Sequence, residues 1–131
     1  MGTITREIVT RCKPADVWDA IRDIGALHTR LVPGFVVDTR LEPGARVVTF
    51  GNGMVVRERI ISLDDEHHRI AWTSDAQMLT HYSASAQVFE HPNGQSRVVW
   101  TADFLPDSAS DQLREMIEQG MKAMKQTLDA A

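Results

Sequence analysis

The sequence predicts an α+β domain, a curved antiparallel sheet of about seven strands wrapped around one long C-terminal helix, with two short helices after the first strand. Two observations lead there. Between Pro106 and Ala131 the apolar positions Leu113, Met116, Ile117, Met121, Met124 and Leu128 recur at the spacing of a single amphipathic helix, with Gly120 on the same face. At about 1.5 Å per residue such a helix spans roughly 30 Å, so its stripe needs a partner surface as long as the domain. Upstream, from Phe35 to Phe104, the apolar period is two, so that partner is a sheet.

Taken in order, Thr3 to Cys12 alternates weakly and reads as a first strand. Lys13-Pro14-Ala15-Asp16 breaks it; Pro14 suits a first helical turn, and Val17, Trp18, Ile21 and Ile24 follow at helical spacing until Gly25. Ala26 to Val32 allows a second short helical segment before Pro33-Gly34. Strands are then expected at Phe35 to Leu41, Ala45 to Phe50, Met54 to Leu63 and His68 to Ser74, separated by turns at Glu42-Pro43-Gly44, Gly51-Asn52-Gly53 and Asp64-Asp65-Glu66. A looser stretch covers Asp75 to Leu79. The last two strands are the clearest: Tyr82, Ala84, Ala86 and Val88 alternate with polar residues, as do Val98, Trp100, Ala102 and Phe104 after Pro92-Asn93-Gly94. Ser108 and Asp111 resemble a capping box for the final helix.

At 131 residues the chain predicts one domain spanning residues 1–131, and 43% apolar with 24% charged residues describes an ordinary globular protein. A net charge of −4 argues against nucleic acid or an anionic membrane as the main partner. No apolar run approaches the roughly 18 residues of a membrane span, and the N-terminus lacks a signal peptide's basic and apolar blocks. Cys12 is the single cysteine, so no intrachain disulfide forms and a reducing cytoplasm is expected. A homodimer is compatible with the sequence, and no protein partner is indicated.

Several strings resemble the helix-grip superfamily (the SRPBCC group), which includes START lipid-transfer domains, the birch-pollen allergen and polyketide cyclases. They are Pro14-Ala15-Asp16-Val17-Trp18-Asp19-Ala20-Ile21, Glu58-Arg59-Ile60 followed by Leu63-Asp64-Asp65, and Val99-Trp100-Thr101-Ala102-Asp103-Phe104 with Pro106. The resemblance implies a cavity between the concave sheet face and the long helix that holds a hydrophobic small molecule. Against the plant abscisic-acid receptors, Glu58 and Tyr82 fall on pocket positions, and Ile117 and Met121 match apolar pocket positions of the long helix. Where those receptors carry a ligand-binding lysine this chain has Leu31 beside Arg30, and their gate loop is replaced by Gly51-Asn52-Gly53, so a hormone receptor is not expected. Fold likeness by itself names no reaction.

Glu58 is the most informative residue. Alternation places it with Met54, Val56 and Ile60 on the apolar face, while Arg57 and Arg59 point the other way. An acid in that setting must find a partner, hold water or rise in pKa, and it is the candidate for ligand binding or acid–base catalysis. Trp72, Tyr82 and Trp100 share the inward face, each with an apolar body and one polar atom suited to orienting a flat ligand; core filling is the competing reading. Ala84, Ala86 and Ala102 leave volume on that face and Ser74 adds a hydroxyl. The expected ligand-binding set is therefore Val56, Glu58, Trp72, Ser74, Tyr82, Ala84, Trp100, Ile117 and Met121. The five histidines are too scattered for a metal site; His81 is a possible proton donor at the rim, and no metal or cofactor is expected. Arg57, Arg59, Arg69 and Arg97 read as a solvated outer face with cross-strand ion pairs. The expected function is binding of a lipid- or polyketide-like molecule. The alternatives are a cyclase or dehydratase using Glu58, or a protein-interaction module.

Overall fold

The computed structural model describes residues 1–131. Seven strands, β1 (Gly2–Thr10), β2 (Val36–Glu42), β3 (Ala45–Phe50), β4 (Val55–Asp64), β5 (Arg69–Ser74), β6 (His81–His91) and β7 (Gln95–Leu105), form one antiparallel sheet in the order β1-β7-β6-β5-β4-β3-β2. The first and second strands thus occupy opposite edges, and α1 (Pro14–Arg22), a 3₁₀ turn (Ile24–Ala26) and a π-helical turn (Leu27–Leu31) carry the chain between them. Register shifts between Val36 and Asp38 in β2 and between Ile60 and Ser62 in β4 mark bulges, which bend strands and increase twist.

The last helix, α2 (Ser110–Ala130), buries Leu113, Ile117, Gly120, Met121, Met124 and Leu128, the periodic stripe, with Met116 half-buried. These side chains join one apolar core with inward residues of the sheet and with Val17, Trp18 and Ile21 of α1. Each large apolar side chain fully buried in this way contributes about 1.5–3 kcal/mol. Gly120 lets the helix come close: a Cβ there would lie 3.0 Å from the Phe35 ring and 3.3 Å from that of Trp100.

Two local expectations are corrected. The capping box does not form: Ser108 lies in a 3₁₀ turn (Asp107–Ala109), the helix starts from Ala109 without a side-chain cap, and the Ser110 hydroxyl donates to the Asp107 carbonyl. The extra turn moves Ser108 out of reach of the helix's free N–H groups. Nor does α1 run to Gly25; it stops at Arg22, because Asp23 turns out of helical geometry and Arg30 folds back onto Asp19 and Asp23. Gly25 sits instead in the 3₁₀ turn against Leu41.

The strings of α1 and the β4–β5 turn meet in space. Asp65 accepts from the Trp18 indole N–H at 2.8 Å and from Arg22 Nε at 2.8 Å, and Trp18 stacks on His68. At the other end of α2, Asp129 accepts from the Thr10 hydroxyl (2.7 Å), the Arg11 backbone N–H (3.0 Å) and Lys125 (2.9 Å), while Lys125 also donates to the Val9 carbonyl. These donors, Thr10 first, hold the Asp129 carboxyl down to about 2, from an ordinary value of 3.8.

A depressed carboxylate pKa stabilises the fold above the unfolded value, near 4, and that contribution is lost as pH falls through about 2. Asp129→Asn should therefore cost about 1–2 kcal/mol at neutral pH, and the gap from wild type should close between about pH 4 and pH 2. Chemical denaturation of both proteins across that range measures it.

Candidate ligand-binding cavity

Two features of the chain place a cavity between sheet and helix. Ala86 on β6 presents only a methyl group to the space, and the bulges in β2 and β4 bend the sheet around α2. The resulting cavity has a volume of ≈ 90 Å³ and is lined by 24 residues, of which 21 are hydrophobic. Its walls come from β3 to β7, the π-helical turn, the β5–β6 loop (Ala76, Met78 and Leu79) and α2 through Leu113, Met116, Ile117 and Met124. The Phe35 and Phe50 rings meet edge to face on one side, and Trp72 and Trp100 do so on another, with centroids 5.7 Å apart.

The three remaining lining residues are Arg46, Glu58 and Ser74, and they form one row. Arg46 on β3 stands opposite Glu58 on β4, and Glu58 stands opposite Ser74 on β5. Arg46 Nε donates to Glu58 Oε1 at 2.8 Å, the two side chains being 5% and 9% exposed. The guanidinium also lies 3.4 Å from the Ile24 carbonyl and 5.8 Å from the Trp72 ring centroid. Tyr82 flanks the row; burial, and then the negative charge of Glu58, push its hydroxyl well above the ordinary tyrosine range, so it stays protonated. The indole Nε1 atoms of Trp72 and Trp100 are buried without a hydrogen-bond partner.

Of the residues expected to bind ligand, Val56, Glu58, Trp72, Ser74, Tyr82, Trp100 and Ile117 line this one cavity. Ala84 and Met121 are buried in the core but stand off its wall. Glu58 has a partner after all, and the residue that sequence reading passed over is Arg46. The signal was present: Arg46 is in phase with Val48 and Phe50 on β3, the inward face. Leu31, at the position of the receptors' lysine, is buried in the wall, while Arg30 points to Asp19 and Asp23. His81 is exposed at the start of β6, in a second, polar hollow with Arg57, Arg59 and Thr80 that shares Ser74 and Tyr82 with the cavity. The outer-face ion pairs are Arg57 with Glu42 and Arg97 with Glu7. No helix is long and apolar enough to cross a membrane.

The family described as polyketide cyclase/dehydrase and lipid transport matches residues 1–130. No curated protein matches the chain in sequence. Among solved structures, XoxI from Bacillus cereus is similar with a TM-score of 0.88 at 22% identity, over 98% of this chain and 96% of that one. A START superfamily protein from Mycobacterium smegmatis is similar with a TM-score of 0.78 at 10% identity, over 98% and 97%. The di-domain ARO/CYC BexL from the BE-7585A biosynthetic pathway gives 0.78 at 13% identity, over 98% of this chain and 47% of BexL. At these identities the likeness is one of fold.

A buried ion pair is costly to break from one side and cheap to replace whole. Glu58→Met, which strands the Arg46 charge, should destabilise by about 3–5 kcal/mol, whereas Arg46→Met combined with Glu58→Met should stay within about 2 kcal/mol of wild type. Urea unfolding of Arg46→Met, Glu58→Met and the double variant checks the pair as a double-mutant cycle.

Proposed function

The chain belongs to the polyketide cyclase/dehydrase and lipid transport family, and from that premise we propose that it binds a small hydrophobic or aromatic molecule between the sheet and α2. One observation carries the reading: an apolar cavity whose two charged side chains, Arg46 and Glu58, stand in a single row with Ser74. Such a lining draws an apolar body out of water and orients it by one polar end. Val56, Trp72, Tyr82, Trp100 and Ile117 supply the contact surface, and Glu58 acts through the row.

The cavity, at ≈ 90 Å³, is smaller than the ~150 Å³ that accepts benzene in an engineered core and the ~300 Å³ at which ordinary ligand sites begin. A larger ligand therefore enters by displacing wall residues. Met54, Met78 and Met116, on β4's approach, the β5–β6 loop and α2, are unbranched and rearrange at low cost. Cyclase or dehydratase chemistry on Glu58 is the weaker reading. The Arg46 guanidinium already occupies one carboxylate oxygen, so proton transfer requires Glu58 to leave its ion pair.

Native mass spectrometry of gently purified protein should reveal a discrete apolar molecule, or added single-ring aromatics should raise the melting temperature. Ala86 lies on the cavity wall, so Ala86→Leu should fill the space, leave the fold intact by circular dichroism and abolish that thermal shift. An equal shift in wild type and Ala86→Leu places the ligand elsewhere and removes the reading.

A further inference from the structure

The polar row contains one positive and one negative side chain, and each neutralises the other. Arg46 and Glu58 are joined at 2.8 Å and almost fully buried, so the end of the cavity that meets a ligand's polar group carries no net charge. Its hydrogen-bonding capacity is nevertheless lopsided. The one anionic acceptor, Glu58, already receives Arg46 Nε on one of its two oxygens. Donors remain: further N–H groups of Arg46, the hydroxyls of Ser74 and Tyr82, and the partnerless indole N–H groups of Trp72 and Trp100. Tyr82 stays protonated in this setting, chiefly through burial. Acceptors are fewer: the second carboxylate oxygen of Glu58 and the hydroxyl oxygens of Ser74 and Tyr82.

The same geometry disfavours an acid. A carboxylate brought to the row leaves one uncompensated negative charge beside Glu58 within an apolar wall. No second cation stands by to balance it: Leu31 lines the cavity, and Arg30 is turned outward onto Asp19 and Asp23. We infer that the Arg46–Glu58 pair is a charge filter, admitting uncharged ligands with an acceptor oxygen, such as ketones and lactones, and turning away carboxylic acids of the same size. The inference rests on the cavity being a ligand site, as proposed above.

Three single-ring probes of matched heavy-atom count test it: acetophenone (neutral, one acceptor), benzoate (an acid) and cumene (no polar atom). Their dissociation constants are read at neutral pH from NMR titration of the tryptophan indole N–H signals. Acetophenone should bind the wild type more tightly than cumene and at least about tenfold more tightly than benzoate, a difference of about 1.4 kcal/mol. Glu58→Gln frees the Arg46 charge and should reverse the order, with benzoate now the tighter ligand. The double replacement Arg46→Met with Glu58→Met leaves no orphaned charge, so it decides the matter if Glu58→Gln does not fold. It should erase the preference for acetophenone over cumene.

Benzoate binding the wild type as tightly as acetophenone overturns the filter, as does folded Glu58→Gln showing no gain for benzoate, or the double variant keeping the acetophenone preference. Cumene binding as tightly as acetophenone in the wild type overturns the filter while leaving the ligand site standing. Failure of all three probes to bind overturns the ligand site itself.

Discussion

The burial of one face of α2 against the concave sheet is the interaction on which the rest of the structure depends. A helix of 21 residues with a continuous apolar stripe cannot be left in water, and only a sheet bent around it covers the whole length. That requirement accounts for the bulges in β2 and β4, for Gly120 where the helix passes Phe35 and Trp100, and for the fastening of Asp129 to the end of β1. A hydrophobic interface fixes distance but not sliding. The hydrogen bonds from Thr10 to Asp129 and from Lys125 to the Val9 carbonyl set where along the sheet the helix comes to rest.

The cavity follows from an imperfect match between these two surfaces. Close-packed interiors leave few voids, so an apolar space beside large aromatic side chains needs a cause. Here Ala86 of β6 leaves the sheet floor low, and the rings of Trp72, Trp100 and Phe35 border the space. Into that space the sheet places a charged pair whose desolvation is offset by the hydrogen bond between its members and by contacts to the Ile24 carbonyl and the Trp72 face. Buried pairs of this kind contribute little to net stability. Their value lies in giving an otherwise uniform apolar wall a direction.

The strings that carried the family resemblance turn out to be mainly fastenings. Trp18 and Arg22 of α1 reach the same carboxylate, Asp65 in the β4–β5 turn, and the pairing ties the first helix to the far side of the sheet. Arg22, and after it Trp18, holds the Asp65 carboxyl below its ordinary range. Thr101 and Asp103 of β7 face Thr5 and Thr3 across the edge strand. Such residues identify a fold well and a ligand poorly, since none of them touches the cavity.

Strand and helix identities, the inward faces of β4 to β7 and the stripe of α2 were determined by the sequence alone, because apolar periodicity is a local property that survives without knowledge of neighbours. Local signals failed where a neighbouring turn could intervene, as at Ser108, where one 3₁₀ turn displaced the cap, and at Gly25, where a packing contact with Leu41 took the place of a helix end. The site was half legible. The inward phase of Glu58, Trp72, Tyr82 and Trp100 could be read from alternation. Its pairing with Arg46 could not, because alternation assigns a face within one strand and says nothing of register between strands. Whether the space between sheet and helix stays open was likewise decided only in three dimensions. A cavity is the remainder after close packing, and shifts smaller than one methyl group determine its size.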